Sequence, residues 1–172
     1  GEASLGASPF NYRFAHAEGR DNMGEEIALL SLTEQGRRIR DGELKATELL
    51  EAYLQRINRY DDTLNSFITV LADKARERAE AADKEIGAGK YRGPLHGIPF
   101  GVKDQLCTAG VRTTLGSRIL ADYVPDFNAT VIERMSAAGA ILIGKQNLHE
   151  FGKGGTIEFP FGQPRNPWNV EH

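Results

Sequence analysis

A single cysteine, Cys107, stands among 172 residues. It excludes an intrachain disulfide and makes a reducing, cytoplasmic compartment the expected setting. No apolar run approaches the ~18 residues that a membrane helix requires. The first residues have neither the charged opening nor the apolar middle of a secretory signal, so the sequon Asn128-Ala129-Thr130 is read as chance. Neither sign of charge dominates: 21 Lys+Arg face 24 Asp+Glu, a net of −3. That balance gives no electrostatic footprint for nucleic acid and no acidic tail. The four histidines, His16, His96, His149 and His172, show no metal-ligand spacing and have no cysteine pair beside them. Neither a metal nor a cofactor is expected.

With 40% apolar residues, the length suits one domain with a real core. Residues 1–24 lack sustained periodicity and read as an N-terminal extension or a leader; Met23 as a natural start and a native wrapping arm are both open. Residues 25–172 read as one domain. Ser31-Leu32-Thr33-Glu34 predicts a capping box opening a short helix through Arg40, ended by Gly42. Thr47 is the expected cap of a longer helix with Leu49, Leu50, Tyr53, Leu54 and Ile57 on one stripe. Phe67 to Leu71 reads as a strand, followed by a helix whose inner face is Ala72, Ala75, Ala79, Ala82 and Ile86. Ile98 to Val102 reads as a short buried strand in which Gly101 lets another backbone approach. A helix carrying Val131, Ile132 and Met135, then a strand at Ala140 to Ile143 and one helical turn near Asn147 to Phe151, complete the regular elements. Strands alternating with helices predict an α/β protein with an at least partly parallel sheet.

Several motifs carry competing readings. Gly139-Ala140-Ile141-Leu142-Ile143-Gly144-Lys145 has P-loop spacing, but Gln146 replaces the magnesium-binding hydroxyl and the intervening residues are strand formers. It reads as a strand after a helix. His149-Glu150 opens like a zinc-protease helix, yet Lys153 stands where the second histidine belongs. Cys107 reads as a small buried hydrophobe rather than a nucleophile. Gly152-Lys153-Gly154-Gly155-Thr156 is either a backbone nest for an anion or a plain flexible turn. In Gly162 to Asn169, two prolines and two asparagines make a rigid turn array, with Trp168 expected to pin it to the body. Lys103 closes the strand after Phe100-Gly101-Val102, and lysine is rarely buried without a partner. By itself it fits a strand-end lysine that reaches solvent or pairs with Asp104, or a lysine held neutral as a base.

Gly97-Ile98-Pro99-Phe100-Gly101-Val102-Lys103-Asp104 is followed by Thr113-Thr114 with Gly116-Ser117. Then come Ala138-Gly139-Ala140 leading to Gly144-Lys145-Gln146-Asn147, Glu150-Phe151, and Phe161-Gly162 with Asn166-Pro167-Trp168-Asn169. In this order and spacing, from about residue 27 onward, the chain resembles the amidase signature family of serine hydrolases. The resemblance implies a mixed β-sheet flanked by helices on both faces. It also implies hydrolysis of linear amide C–N bonds by a Ser-cisSer-Lys triad through an acyl-enzyme. Lys103 would be the catalytic base, and Lys153, Gly154 and Gly155 would line the substrate pocket. Both serines belong to a Gly-Gly-Ser-Ser-Gly-Gly-type segment expected a few residues beyond His172. The chain is thus read as the N-terminal part of a longer amidase, holding one triad member of three and catalytically silent by itself. The implied partners are a small-molecule amide and the remainder of the same polypeptide, with no nucleic acid bound directly, no membrane, and a homodimer left open.

A lysine accepts a proton only when neutral, so an ordinary pKa of about 10.4 has to fall by roughly 3 units, worth about 4 kcal/mol. Apolar neighbours such as Phe100 and Val102 act in that direction; a paired carboxylate acts against it. Because consecutive strand residues point to opposite faces, Asp104 is expected to bind backbone or another polar group instead of the Lys103 amine. Two alternatives stand beside the amidase. One is the glutaminase A subunit of a tRNA-dependent amidotransferase, favoured by Cys107-Thr108 and disfavoured by Lys153 and by the N-terminal extension. The other is a non-catalytic family member.

Overall fold

The computed structural model describes residues 22–154 and 159–171; the expected extension up to residue 21 lies outside them. Helix α1 (Asn22–Ala28) crosses the boundary expected at residue 24, and α2 (Leu32–Arg40), α3 (Ala46–Leu64), α4 (Ala72–Gly87) and α5 (Thr130–Ala137) follow. Strands β1 (Phe67–Val70), β2 (Pro99–Lys103) and β3 (Ile141–Gln146) form one sheet in the order β1-β3-β2. β3 runs parallel to β2 and antiparallel to β1, so the sheet is mixed and the architecture α/β. β3 occupies the stretch with P-loop spacing, as the strand-forming residues between its glycines require.

Small residues set the packing. Ala75, Ala79 and Ala82 of α4 meet Ala46, Leu50 and Leu54 of α3 over Ile141 and Ile143 of β3, with Tyr53, Ile57 and Phe67 at the margin. Each fully buried Leu or Ile there is worth roughly 2 kcal/mol relative to exposure. A second cluster, Ile39, Leu44, Leu49 and Ile98, joins α2 and α3 to the entrance of β2. Two glycines permit close approaches. A β-carbon on Gly144 would stand 2.6 Å from the Thr69 carbonyl oxygen, so β1 could not lie against β3 with any larger residue there. A β-carbon on Gly101 would meet the Gln146 side chain at 2.9 Å, and not the backbone expected from sequence.

Helix ends reveal contacts between distant residues. Ser31 caps α2 through its hydroxyl, which accepts from the Glu34 N–H at 3.2 Å. The N-cap of α3 is Lys45, not Thr47. Asp83 reaches across from α4 and accepts from the Ala46 N–H (2.7 Å), the Thr47 N–H (3.2 Å) and the Thr47 hydroxyl (2.7 Å). One carboxylate thus satisfies the first orphan amides of α3 and sits at the positive end of its dipole. Asp83→Ala is expected to cost about 1–2 kcal/mol in urea unfolding of the full-length protein, the range for loss of a helix cap. Buried Gln35 does the corresponding work for α1, its amide donating to the carbonyls of Ile27 (3.0 Å) and Leu30 (3.2 Å).

The segment after β3 is tied down by asparagines. Asn147 donates to the carbonyls of Asn65 (3.0 Å) and Gly162 (2.9 Å), and Asn65 to that of Phe161 (3.0 Å). Trp168, expected to pin the terminal turn to the body, is 62% exposed. Asn166 and Asn169 close that turn locally, accepting from the N–H groups of Trp168 and Glu171.

Candidate active site

Lys103 ends β2, paired in register with Gln146 of β3, and its side chain is exposed. Beside it lies the 3-10 turn Glu150–Gly152: the Lys103 Nζ is 3.8 Å from where a β-carbon on Gly152 would stand. That turn leads into Lys153 and Gly154, both exposed, so the described part of the expected substrate loop continues from the turn beside Lys103. Gly155 lies outside the described residues.

The turn is held in strained backbone. Phe151 has φ 52° and Leu115 φ 53°, both in the left-handed region that non-glycine residues rarely occupy. The two are joined, the Phe151 N–H donating to the Leu115 carbonyl at 2.7 Å. Gly116 packs so tightly on this turn that an added β-carbon would stand 2.9 Å from the Leu148 carbonyl oxygen. Left-handed non-glycine residues each cost on the order of 1–3 kcal/mol and cluster where geometry matters for function.

Asp104 turns away from the Lys103 amine, as alternation along the strand requires. One of its oxygens, Oδ2, accepts from the Thr114 N–H at 2.8 Å and from the Thr114 hydroxyl at 2.6 Å. The Asp104 N–H donates to the Gln146 carbonyl, and its own carbonyl accepts from the Leu115 N–H, so the residue binds the sheet to the Thr113–Ser117 loop. The other oxygen, Oδ1, makes no hydrogen bond and faces the Lys145 Nζ at 3.4 Å. Both side chains of this ion pair are fully buried.

Lys145 is the residue that sequence reasoning passed over. It drew notice only as the last position of a discarded P-loop and as part of a motif. Its ammonium donates to the Leu106 carbonyl and to the Thr113 hydroxyl, both at 2.7 Å, and Thr113 in turn donates to the Val111 carbonyl at 3.1 Å. Burial pushes the Lys145 pKa below the ordinary lysine value, while Asp104 pulls it back up. One signal in the sequence could have found it: a lysine in the continuation of the apolar strand Ile141-Leu142-Ile143, where a charge needs a buried partner. The Thr113–Ser117 segment has no helix or strand of its own, yet Thr113, Thr114 and Ser117 are completely buried.

The remaining candidates sit apart from this cluster or have structural partners. His96, 1% exposed, accepts from the Arg92 N–H through Nδ1 at 3.2 Å, and its Nε2 lies 3.1 Å from Glu85. Burial lowers its pKa, so it is neutral near pH 7, with the proton on the nitrogen facing Glu85. His149 stacks on Phe159 with ring centroids 4.4 Å apart. Cys107 is half-buried. Asn128 accepts from the Ala109 N–H at 2.8 Å, which occupies its side chain within the loop packing.

The model of the family described as Amidase matches residues 48–172. The chain is 49% identical over 130 residues to the A subunit of glutamyl-tRNA(Gln) amidotransferase from Thermosynechococcus vestitus, covering 75% of this chain and 27% of that protein. The protein of the same name from Lachnospira eligens is 44% identical over 149 residues, 85% of this chain and 31% of its own length. Among solved structures, native peptide amidase from Stenotrophomonas maltophilia superposes with a TM-score of 0.79 at 36% identity, over 86% of this chain and 32% of that one. The chain therefore spans less than a third of the length of these relatives. Its mixed sheet, its motif order and the match over most of its length place it: the chain belongs to the Amidase family, the amidase signature family.

Proposed function

We propose that the protein hydrolyses an amide C–N bond, with Lys103 as the base of a Ser-cisSer-Lys triad whose serines lie beyond His172. The observation that carries this reading is the placement of Lys103 at the mouth of the Glu150–Gly152 turn while Asp104 is engaged elsewhere. In this mechanism the neutral amine takes a proton relayed from the attacking serine hydroxyl and returns it to the leaving amine, the logic of Ser–Lys acyl transfer. The described residues leave the Lys103 side chain exposed, so its desolvation falls to the segment that brings the serines. Lys153, Gly154 and Gly155 are assigned to the substrate side of the site, as the family resemblance implies. The expected setting is cytoplasmic, and the described helices include none long and apolar enough to cross a membrane.

The amidotransferase names of the relatives favour a second reading, a glutaminase subunit whose ammonia passes to charged tRNA on partner subunits. The amide-cleaving step is common to both, and they differ in the acceptor of the ammonia. The test is ammonia release by the full-length protein from simple acyl amides without partners, and from glutamine with and without amidotransferase partner subunits and charged tRNA. Turnover of simple amides alone is the expected result. Activity confined to glutamine with partners present would transfer the assignment to the second reading. Absence of either downstream serine from the full-length protein would make it a non-catalytic family member.

A further inference from the structure

The Asp104–Lys145 pair poses an energetic question that the amidase reading does not answer. Two charges with no exposure are costly, and replacing such pairs by apolar residues is often neutral or stabilising. The role of Asp104 is clear, because its Oδ2 holds the amide and hydroxyl of Thr114 and so fastens the loop to the end of β2. The same carboxylate, however, is adjacent in the chain to Lys103. In a site closed to water, a lone negative charge there would favour the protonated amine and disable a base. Lys145 lies in register with Val102, one residue before Lys103, and its Nζ faces the oxygen of Asp104 that nothing else binds. The ammonium donates to the Leu106 carbonyl and the Thr113 hydroxyl, which fix it on that side of the carboxylate.

We propose that Lys145 is a positioning residue for Lys103: its buried ammonium cancels the charge of Asp104, so that the carboxylate fastening the loop does not hold the neighbouring base protonated. The inference rests on the assignment of Lys103 as the base. The groups involved are few. Asp104 and the Cys107 thiol act on Lys145, and the turn beside Lys103 carries Glu150 and is followed by Lys153. A unit charge ~7–8 Å from an amine, at an effective dielectric of ~20, moves its titration by about one pH unit or more.

The test is the pH profile of kcat/KM for amide hydrolysis by the full-length protein, whose acidic limb reports the free enzyme's base. Lys145→Met leaves Asp104 uncompensated and is expected to move that limb up by about one unit, with a roughly tenfold loss on its acidic side. Asp104→Asn combined with Lys145→Met removes both charges and is expected to return the limb to the wild-type position. A Lys145→Met enzyme with an unmoved limb and only a lower plateau would show a merely structural role and overturn the inference. If Lys145→Met does not fold, the double variant decides: a wild-type limb supports charge cancellation, and a displaced one rejects it. Lys103→Ala separates the two levels. Retained turnover in that variant removes the underlying assignment, whereas its loss together with an unmoved Lys145→Met limb removes only the inference.

Discussion

Lys103→Ala in the full-length protein is expected to lower kcat for amide hydrolysis by about 10²–10⁴-fold, the range for loss of a positioned general base. The melting temperature should stay near wild type. None of the hydrogen bonds that hold the buried Asp104–Lys145 pair and the Thr114 loop uses the Lys103 side chain, so alanine leaves them intact. The pairing of β2 with β3 uses backbone groups that alanine retains. A variant that keeps its fold and a near-normal kcat would remove Lys103 from the chemistry. One that unfolds would instead assign the lysine to structure, so kcat and melting temperature have to be measured together.

The largest stability effect is expected one residue further on. Asp104→Ala removes the partner of a fully buried ammonium and leaves the Thr114 amide without its acceptor. Breaking a buried pair from one side costs about 3–5 kcal/mol, because the remaining charge stays desolvated. The urea midpoint of the full-length protein should fall accordingly. Asp104→Asn should lose less, since a carboxamide oxygen can still accept from Thr114. A loss below about 1 kcal/mol in Asp104→Ala would mean that water or a rearranged Lys145 replaces the carboxylate, at odds with a rigid buried pair.

Much of the architecture was readable in the residues because its signals are local. The Leu49-Leu50-Tyr53-Leu54 stripe and the alanine face of α4 repeat at helical spacing, and Leu50, Tyr53 and Leu54 do meet that face in one cluster. The strand formers from Ile141 to Ile143 rejected a P-loop and do form β3. The family followed from motifs in order, and the match over residues 48–172 agrees with it. Lys103 stood out because a lysine at the end of a short apolar strand calls for explanation, and alternation along the strand was enough to turn Asp104 away from it.

Contacts between residues far apart in the chain were not readable in this way. Thr47 looked like the cap of α3, but Asp83, 36 residues later, provides the acceptor. Thr113 and Thr114 are polar residues in a glycine-punctuated stretch, yet they are buried because Asp104 and Lys145 satisfy their polar groups across 10 and 32 residues. Local pattern reports which face of an element is apolar, since that depends on spacing of two to four residues. It does not report where a buried charge finds its counter-charge, which depends on how β2, β3 and the intervening loop come together. Thus the residues alone determined the class of fold and, through the ordered motifs, the family whose resemblance proposes Lys103 as the base, while folding in three dimensions decided that Lys145 and Asp104 share one buried site.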